Sequence, residues 1–283
     1  MTDKYAVIGN PIAHSKSPQI HKLFAQQTGQ DISYEKIKVA LDGFKEKIDE
    51  LRKKGYKGCS VTVPFKFEAC RIVNGVSSEV IDAFDSGENA DAINTLDFRN
   101  NEITGYNTDG IGLLRDITQN LKHKITGKRV LLMGAGGAAY GVVHPLLDQQ
   151  PQELVIANRT LENAIKFEKK IRGTEQFPVR SVSVSSYPDL SGKQFDLVIN
   201  ATSSSLSNEM PPLPPGIFAP GALAYEMMYG RETPFMRFAR EQGAAVVADG
   251  LGMLVEQAAE AFFIWRNVRP ETAPVIAALR KQQ

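Results

Sequence analysis

A glycine-rich turn in the middle of the chain constrains the fold more than any other feature of the sequence. The apolar run 129–133 comes directly before the hexad GAGGAA at 134–139, and apolar residues recur at helical spacing over 140–148. The hexad fits the pattern G-x-G-x-x-A. Its first glycine makes a tight turn, its second lets the backbone approach a pyrophosphate, and its small last residue allows close packing of helix on strand.

This strand, turn and helix predict a Rossmann domain in which amides at the helix N-terminus hold the phosphates of a dinucleotide. A tight turn without a ligand is the alternative, but the small residues are more numerous than a turn requires. The predicted cofactor-binding residues of the hexad are Gly134, Ala135, Gly136, Gly137, Ala138 and Ala139.

The choice of cofactor is predicted from the residues that follow the next strand, 153–157. An acidic residue there would bind the ribose 2′-hydroxyl of NAD, but this chain has Asn158, Arg159 and Thr160. Arg159 can bind a 2′-phosphate bidentately and stack on the adenine ring. The sequence therefore favours NADP, with a solvated arginine after a strand as the alternative.

Strands and helices alternate along most of the chain, which predicts an α/β fold with mostly parallel sheets. Before the glycine-rich turn, strands are predicted at 4–9, 58–63, 92–96 and 102–106, with helices after Pro18 and at 44–54 and 66–73. After the turn, strands are predicted at 153–157, 179–184, 195–199, 222–225 and 245–247, with helices near 161–171 and 234–242. Two apolar-faced helices, 253–265 and 273–279, follow the last strand and are expected to return to the first domain. We predict a domain of residues 1–108 with 249–283 and a Rossmann domain of residues 109–248.

Composition excludes several function classes. The 283 residues include 33 Lys and Arg against 32 Asp and Glu, so no overall charge favours nucleic acid or an acidic membrane. Two cysteines and four scattered histidines show no disulfide framework and no metal-ligand spacing, so no metal is expected. Neither a signal peptide nor a run of about 18 apolar residues occurs. We expect a cytoplasmic protein with reduced thiols and a small-molecule partner.

Polar clusters lie where predicted strands of the first domain end. They are NPIAHSKS at 10–17, SVTVPFK at 60–66, and Asn94 with NTD at 107–109. Together with GAGGAA, NRT at 158–160, NATSS at 200–204 and DGLGMLVEQAAEAF at 249–262, they resemble the shikimate dehydrogenase family over the entire chain. The resemblance implies NADP-dependent, reversible reduction of 3-dehydroshikimate to shikimate in aromatic amino-acid and chorismate biosynthesis. It also implies a shikimate-binding domain facing a Rossmann domain, in a monomer or homodimer.

By this resemblance, Lys66 and Asp109 form the catalytic pair. The chemistry agrees, because hydride transfer to a ketone builds negative charge on its oxygen, and an ammonium beside a carboxylate can donate the proton. Taken singly, Lys66 could be a surface lysine and Asp109 a helix cap.

The resemblance also implies which residues bind the substrate and the cofactor. Ser15 and Ser17 would bind the substrate carboxylate, although they could instead cap the helix that starts at Pro18. The ring hydroxyls would be bound by Thr62, Asn94, Asp109 and Gln257, with solvent exposure as the alternative role of Gln257. The further implied cofactor-binding residues are Met227, Tyr229 and Gly250, of which Tyr229 could equally be a packing residue. His14 is interpreted as structural.

Several positions depart from the usual pattern of the family. Ser60 replaces an asparagine, Asp91 a glycine, Ser205 a glycine and Glu226 an aspartate. The last two predict a different loop on the nicotinamide side. The residues after NRT, 161–163, lack the second cation that the family often has there, and Lys166 is a candidate substitute.

Three other functions are compatible with parts of the sequence. A quinate/shikimate dehydrogenase that also accepts NAD would be consistent with the missing second cation. A non-catalytic, NADP-binding regulator would need neither Lys66 nor Asp109. A folate-type dehydrogenase would not require Ser15, Ser17 or Gln257.

Overall fold

The computed structural model describes residues 2–73, 75–76, 92–172 and 182–282. Asp91 and the first residues of the predicted strand 179–184 lie outside these ranges. The chain forms two compact units, Met1–Gly112 with Leu254–Gln282 and Leu113–Met253. The first unit is therefore discontinuous in sequence.

The first unit is built on a mixed six-stranded sheet of order β2-β1-β3-β5-β6-β4. Its strands are β1 (Asp3–Gly9), β2 (Ile32–Lys38), β3 (Tyr56–Val61), β4 (Gly75–Val76), β5 (Thr95–Asp97) and β6 (Thr104–Tyr106). Strand β1 runs parallel to β2 and β3, whereas β5 runs antiparallel to β3 and β6. The connecting helices are α1 (Ser17–Thr28), α2 (Phe44–Lys53) and α3 (Lys66–Ala69).

Two elements of this unit differ from the sequence prediction. Strand β2 was not predicted from the sequence. It is an edge strand whose charged residues, Glu35, Lys36 and Lys38, face solvent, so its sequence lacks the apolar run by which the other strands were recognised. Helix α3 ends at Ala69 instead of Val73. The amides of the following residues bond three residues back, which tightens the chain into turns.

The second unit is a fully parallel six-stranded sheet of order β12-β11-β10-β7-β8-β9. Its strands are β7 (Arg129–Met133), β8 (Glu153–Ala157), β9 (Val182–Ser185), β10 (Phe195–Asn200), β11 (Phe218–Glu226) and β12 (Val246–Asp249). Its helices are α4 (Asp109–Arg115, which begins in the first unit), α5 (Gly137–Asp148), α6 (Leu161–Arg172) and α7 (Pro234–Glu241). The strand order reverses between β7 and β10, which is where ligands bind in doubly wound sheets.

Burial on both faces explains why β7 is apolar throughout. Val130 and Leu132 pack into the core on one side of the sheet, and Leu131 and Met133 into the core on the other. A parallel strand covered by helices on both faces has no polar side, so its sequence does not alternate. The predicted Rossmann architecture is confirmed.

The last two helices, α8 (Leu251–Arg266) and α9 (Ala273–Arg280), return the chain to the first unit, as predicted. The Trp265 indole donates to the carbonyl of Leu96 at 3.1 Å, and its ring stacks on Tyr5 at 4.7 Å between centroids. Beyond α9, Gln282 accepts a hydrogen bond from Gln19 of α1 at 2.8 Å. None of the helices in the described part of the chain combines the length and the apolarity needed to cross a membrane.

A buried histidine lies between α1 and the sheet of the first unit. The His21 ring is fully buried and stacks on Tyr34 at 4.1 Å, with Trp265 at 5.5 Å. Among the described residues, neither of its nitrogens has a hydrogen-bond partner. Burial penalises the charged imidazolium and lowers the pKa of His21 to about 3.

We expect His21 to make the protein sensitive to mild acid. In the unfolded chain the pKa of this histidine is about 6.5, so the unfolded state binds the proton more readily than the folded state. The free energy of unfolding then falls by about 1.4 kcal/mol per pH unit below pH ~6.5, and the loss levels off near the folded-state pKa. A His21→Phe variant should show a shallower fall in Tm between pH 7 and pH 5 than the wild type.

The control for this prediction is His14→Phe, which changes an exposed histidine of the same unit. Only the slopes of Tm against pH are compared, so a packing effect that is independent of pH cancels. Equal slopes for the wild type and His21→Phe would contradict the assigned role.

Candidate active site

Lys66 and Asp109 meet at the ends of two helices. Lys66 is the first residue of α3, and Asp109 is the first residue of α4. The Lys66 ammonium donates a hydrogen bond to Oδ2 of Asp109. Their side chains are only 16% and 9% exposed. The pair is thus largely shielded from water. In such a shielded position a charged hydrogen bond is stronger than at an open surface.

Asn94 fixes the orientation of the Asp109 carboxylate. Its amide nitrogen lies 2.8 Å from Oδ1 of Asp109 and 2.9 Å from the Thr108 hydroxyl, and its amide oxygen accepts from the Thr108 amide at 2.9 Å. The backbone of Asn94 bridges β3 and β6 through Val61 and Tyr106. Because Asn94 occupies Oδ1, Oδ2 of Asp109 remains for Lys66.

Gln257 of α8 joins the same cluster. Its Oε1 lies 3.5 Å from the Asn94 amide nitrogen and 3.4 Å from the Thr108 hydroxyl, while its Nε2 donates to the carbonyl of Leu254 at 2.7 Å. Gln257 is half-buried, so the alternative of a solvent-exposed glutamine is wrong.

Two residues of the NTD motif have roles that were not assigned from the sequence. The Asn107 side chain accepts a hydrogen bond from the Asp109 amide at 2.9 Å and so satisfies the first amide of α4. The Asp109 side chain bonds to Lys66 and Asn94. Thr108 is fully buried and links Asn94 to Gln257. The signal that could have revealed both residues is the run of three side-chain acceptors directly after a strand.

Ser15 and Ser17 form a separate pair at the start of α1. The Ser15 hydroxyl donates to that of Ser17 at 3.2 Å and accepts from the Ser17 amide at 3.3 Å. The serines therefore bond to each other, and Ser15 accepts from the first amide of α1, whose N-cap residue is Lys16. Thr62 is half-buried, its amide donates to the carbonyl of Ile8 at 3.0 Å, and His14 is exposed.

Chemically, these residues offer one ammonium, one carboxylate, and several amides and hydroxyls. Among the residues that the structure describes, no group of three or more His, Cys, Asp or Glu could hold a metal ion.

The glycine-rich turn lies at the carboxyl end of β7, next to that of β10. Gly134 has φ +111°, and a Cβ there would lie 3.0 Å from the carbonyl oxygen of Ala201, so both the backbone angle and the space require glycine. A Cβ at Gly136 would meet open space, and no side chain in the described part of the chain caps the twelve-residue helix α5 that follows. Open space in front of uncapped helix amides fits a diphosphate group.

The NRT segment follows β8, the neighbour of β7. Asn158 donates to the carbonyl of Thr160 at 2.9 Å, which closes a turn around Arg159. The Arg159 side chain is 84% exposed, and within the described residues it pairs with the Glu209 carboxylate at 3.9 Å. A guanidinium held this loosely is available to an incoming phosphate.

The third group of candidate cofactor residues lies after β11 and β12. The Met227 amide donates to the carbonyl of Asn200 at 3.1 Å, and the Gly250 amide donates to that of Met228 at 2.9 Å. A Cβ at Gly250 would lie 2.2 Å from the carbonyl oxygen of Met227. Gly250 therefore has a packing role, and Tyr229 is half-buried in the same segment.

Comparison with known families covers both units. Residues 7–96 match the family described as "Shikimate dehydrogenase substrate binding domain", and residues 116–208 match "Shikimate / quinate 5-dehydrogenase". Residues 250–280 match "Shikimate 5'-dehydrogenase C-terminal domain".

Individual proteins match over nearly the full length. The shikimate dehydrogenase (NADP(+)) of Methylobacillus flagellatus is 56% identical over 278 residues, which cover 98% of this chain and 99% of that protein. The Ael1 enzyme from Pseudomonas putida is 46% identical, with a TM-score of 0.87 and 98% of each chain covered. The shikimate 5-dehydrogenase of Thermus thermophilus, solved with NADP(H) and shikimate, is 26% identical with a TM-score of 0.84 over both complete chains. The chain therefore belongs to the shikimate dehydrogenase family.

Proposed function

We propose that the protein catalyses the reversible, NADP-dependent interconversion of shikimate and 3-dehydroshikimate, with Lys66 and Asp109 as the catalytic pair. The observation that carries the proposal is the Lys66 ammonium, which is bonded to an Asp109 carboxylate that Asn94 holds in place. The protein is an NADP-dependent oxidoreductase that acts on a CH–OH group, and its relatives carry the name shikimate dehydrogenase (NADP(+)).

When bound by the second unit, NADP would supply or take up the hydride that the reaction transfers at the ring carbon of the substrate. During reduction, negative charge develops on the ketone oxygen, and the Lys66 ammonium donates the proton that neutralises it. During oxidation, neutral Lys66 takes the hydroxyl proton. The Asp109 carboxylate holds the Lys66 side chain in place in both directions of the reaction, and Asn94 fixes the carboxylate.

The remaining polar residues of the first unit suit a polyhydroxylated ring that bears a carboxylate. We assign the substrate carboxylate to the hydroxyls of Ser15 and Ser17. Thr62, Asn94 and Gln257, together with Asp109, would bind the ring hydroxyls, because each offers a donor or acceptor at the carboxyl end of the sheet or on α8. The reaction belongs to aromatic amino-acid biosynthesis.

The cofactor is assigned to the second unit. Amides at the start of α5, from Gly136 to Ala139, would hold the diphosphate, and Arg159 would bind the 2′-phosphate. Asn158 and Thr160 shape the turn that presents Arg159. Met227, Tyr229 and Gly250 would contact the nicotinamide side.

The experiment that tests this proposal is the initial rate of nicotinamide reduction with shikimate or quinate, each combined with NADP+ or NAD+. We expect shikimate with NADP+ to give the highest kcat/KM by a wide margin. Comparable rates with quinate or NAD+ would indicate a broader-specificity enzyme. An absence of turnover in all four combinations would refute the proposal.

A further inference from the structure

Glu226 is a fully buried carboxylate that the catalytic mechanism does not use. It ends β11, and its register neighbours at the carboxyl ends of β10 and β12 are Asn200 and Asp249. It accepts four hydrogen bonds within the described residues. Its Oε2 accepts from Asn200 at 2.9 Å, from Ser205 at 2.7 Å and from Thr233 at 2.9 Å, and its Oε1 accepts from the Met228 amide at 3.0 Å.

These four donors come from separate parts of the second unit. Asn200 ends β10, Ser205 lies in the short helical turn Ser204–Leu206, Met228 follows β11, and Thr233 caps α7. Four donors satisfy a carboxylate that is removed from water, and the Ser205, Thr233 and Met228 donors would lose this acceptor if the carboxylate were lost. The carboxylate therefore ties four segments together at one point.

The segment Met227–Gly230 is held at both ends by acidic side chains. Glu226 accepts from the amide of Met228, and Asp249 accepts from the amide of Gly230 at 3.4 Å. Tyr229 lies between these two anchors. Because of these bonds, the position of the Glu226 carboxylate sets the position of this segment. The segment contains Met227 and Tyr229, which are assigned to the nicotinamide side.

Two departures from the usual family pattern contact each other at this site. Ser205 stands in place of a glycine and Glu226 in place of an aspartate, and the Ser205 hydroxyl donates to the Glu226 carboxylate. Ser205 is 1% exposed. Glutamate extends the carboxylate by one methylene, about 1.5 Å, and the serine hydroxyl supplies a donor at the new position.

We propose that Glu226 is a positioning residue for the segment Met227–Tyr229 and that Ser205 is its matched partner, so that the pair sets how tightly the protein holds NADP. This inference rests on the proposed function. It adds a residue pair that acts on the cofactor through the backbone and does not touch the reacting atoms.

The first test is a double-mutant cycle of Ser205→Gly, Glu226→Asp and the combined variant. Calorimetry without substrate gives the Kd of NADP+, rate measurements give kcat and KM, and melting gives Tm. We expect Glu226→Asp to raise the Kd about tenfold, because the shorter side chain cannot keep all four donors, and Ser205→Gly to raise it about threefold. The combined variant should bind NADP+ more tightly than Glu226→Asp alone, because glycine at position 205 leaves no serine hydroxyl that needs the longer carboxylate as its acceptor.

A second comparison separates positioning from stability. Glu226→Gln replaces an acceptor with a donor inside the network, whereas the control Asp196→Asn makes the same type of change near the opposite end of β10, beside Arg129. We expect Glu226→Gln, but not Asp196→Asn, to raise the Kd of NADP+ and to lower kcat/KM for folded protein.

Several results would overturn the inference. Single-variant effects on the Kd that multiply in the combined variant would show that Ser205 and Glu226 act independently. A lowered Tm with unchanged Kd and kcat/KM in the Glu226 variants would show a purely structural role. The wild type is measured first: if it binds NADP+ but does not turn over shikimate, the proposed function fails while the binding cycle still tests the pair. A wild type that does not bind NADP+ would refute both.

Discussion

Replacing Lys66 with alanine should lower kcat for shikimate oxidation by about 10³-fold. The ammonium is the only proton donor we assign to the ketone oxygen, and its loss leaves Asp109 without the cation that it holds. Because Lys66 acts mainly in the transition state, the Kd of NADP+ should stay within about twofold of the wild-type value. The measurement is kcat and KM with shikimate and NADP+, together with calorimetric binding of NADP+.

Two further variants test whether a fall in kcat is specific to the loss of the Lys66 proton donor. Lys53→Ala removes an exposed lysine at the end of α2 and should leave kcat unchanged. Lys66→Arg keeps the positive charge but holds its proton too tightly to exchange it, so its kcat should also fall by orders of magnitude. A Lys66→Ala enzyme with near wild-type kcat would refute the assignment of Lys66 as the proton donor.

Replacing Arg159 with alanine should raise the KM for NADP+ by about 30-fold or more and change the KM for NAD+ little. The reason is that a bidentate, charge-assisted contact to phosphate contributes roughly 2 kcal/mol or more, and NAD+ has no 2′-phosphate. The ratio of kcat/KM for the two cofactors is therefore the quantity to measure.

The exposed Arg237 of α7 supplies a control of the same residue type, and Arg237→Ala should not change this ratio. Lys166→Ala tests whether the exposed lysine of α6 acts as the missing second cation. If it does, the kcat/KM for NADP+ relative to that for NAD+ falls in this variant as well. Equal increases in KM for both cofactors in Arg159→Ala would remove Arg159 from the phosphate site.

The parts of the fold that could be predicted from sequence are those where one local rule decides the structure. The apolar run 129–133 predicted a strand and the glycine at 134 a tight turn, and the structure has both, with a φ of +111° at Gly134. Strand β2 could not be predicted in this way, because its stability comes from pairing with β1 at a sheet edge and not from its own apolar residues.

The same distinction applies to the candidate site. The resemblance implied the residue types of the proposed catalytic pair, but the geometry of the cluster depends on contacts between residues far apart in sequence. Asn94 and Gln257 are 163 residues apart, and their side-chain atoms lie at 3.5 Å. Thr108 acquires its role only because Asn94 and Gln257 both face it.

The sequence by itself determined the α/β class, the two-part organisation and the family, because strand periodicity, turn chemistry and motif spacing are local properties. Only the tertiary structure decided which oxygen of Asp109 meets Lys66, that Asn107 accepts from the first amide of α4, and that Ser205 and Glu226 are partners. Hydrogen bonds between distant segments form when the sheets assemble, and no local pattern in the chain records them.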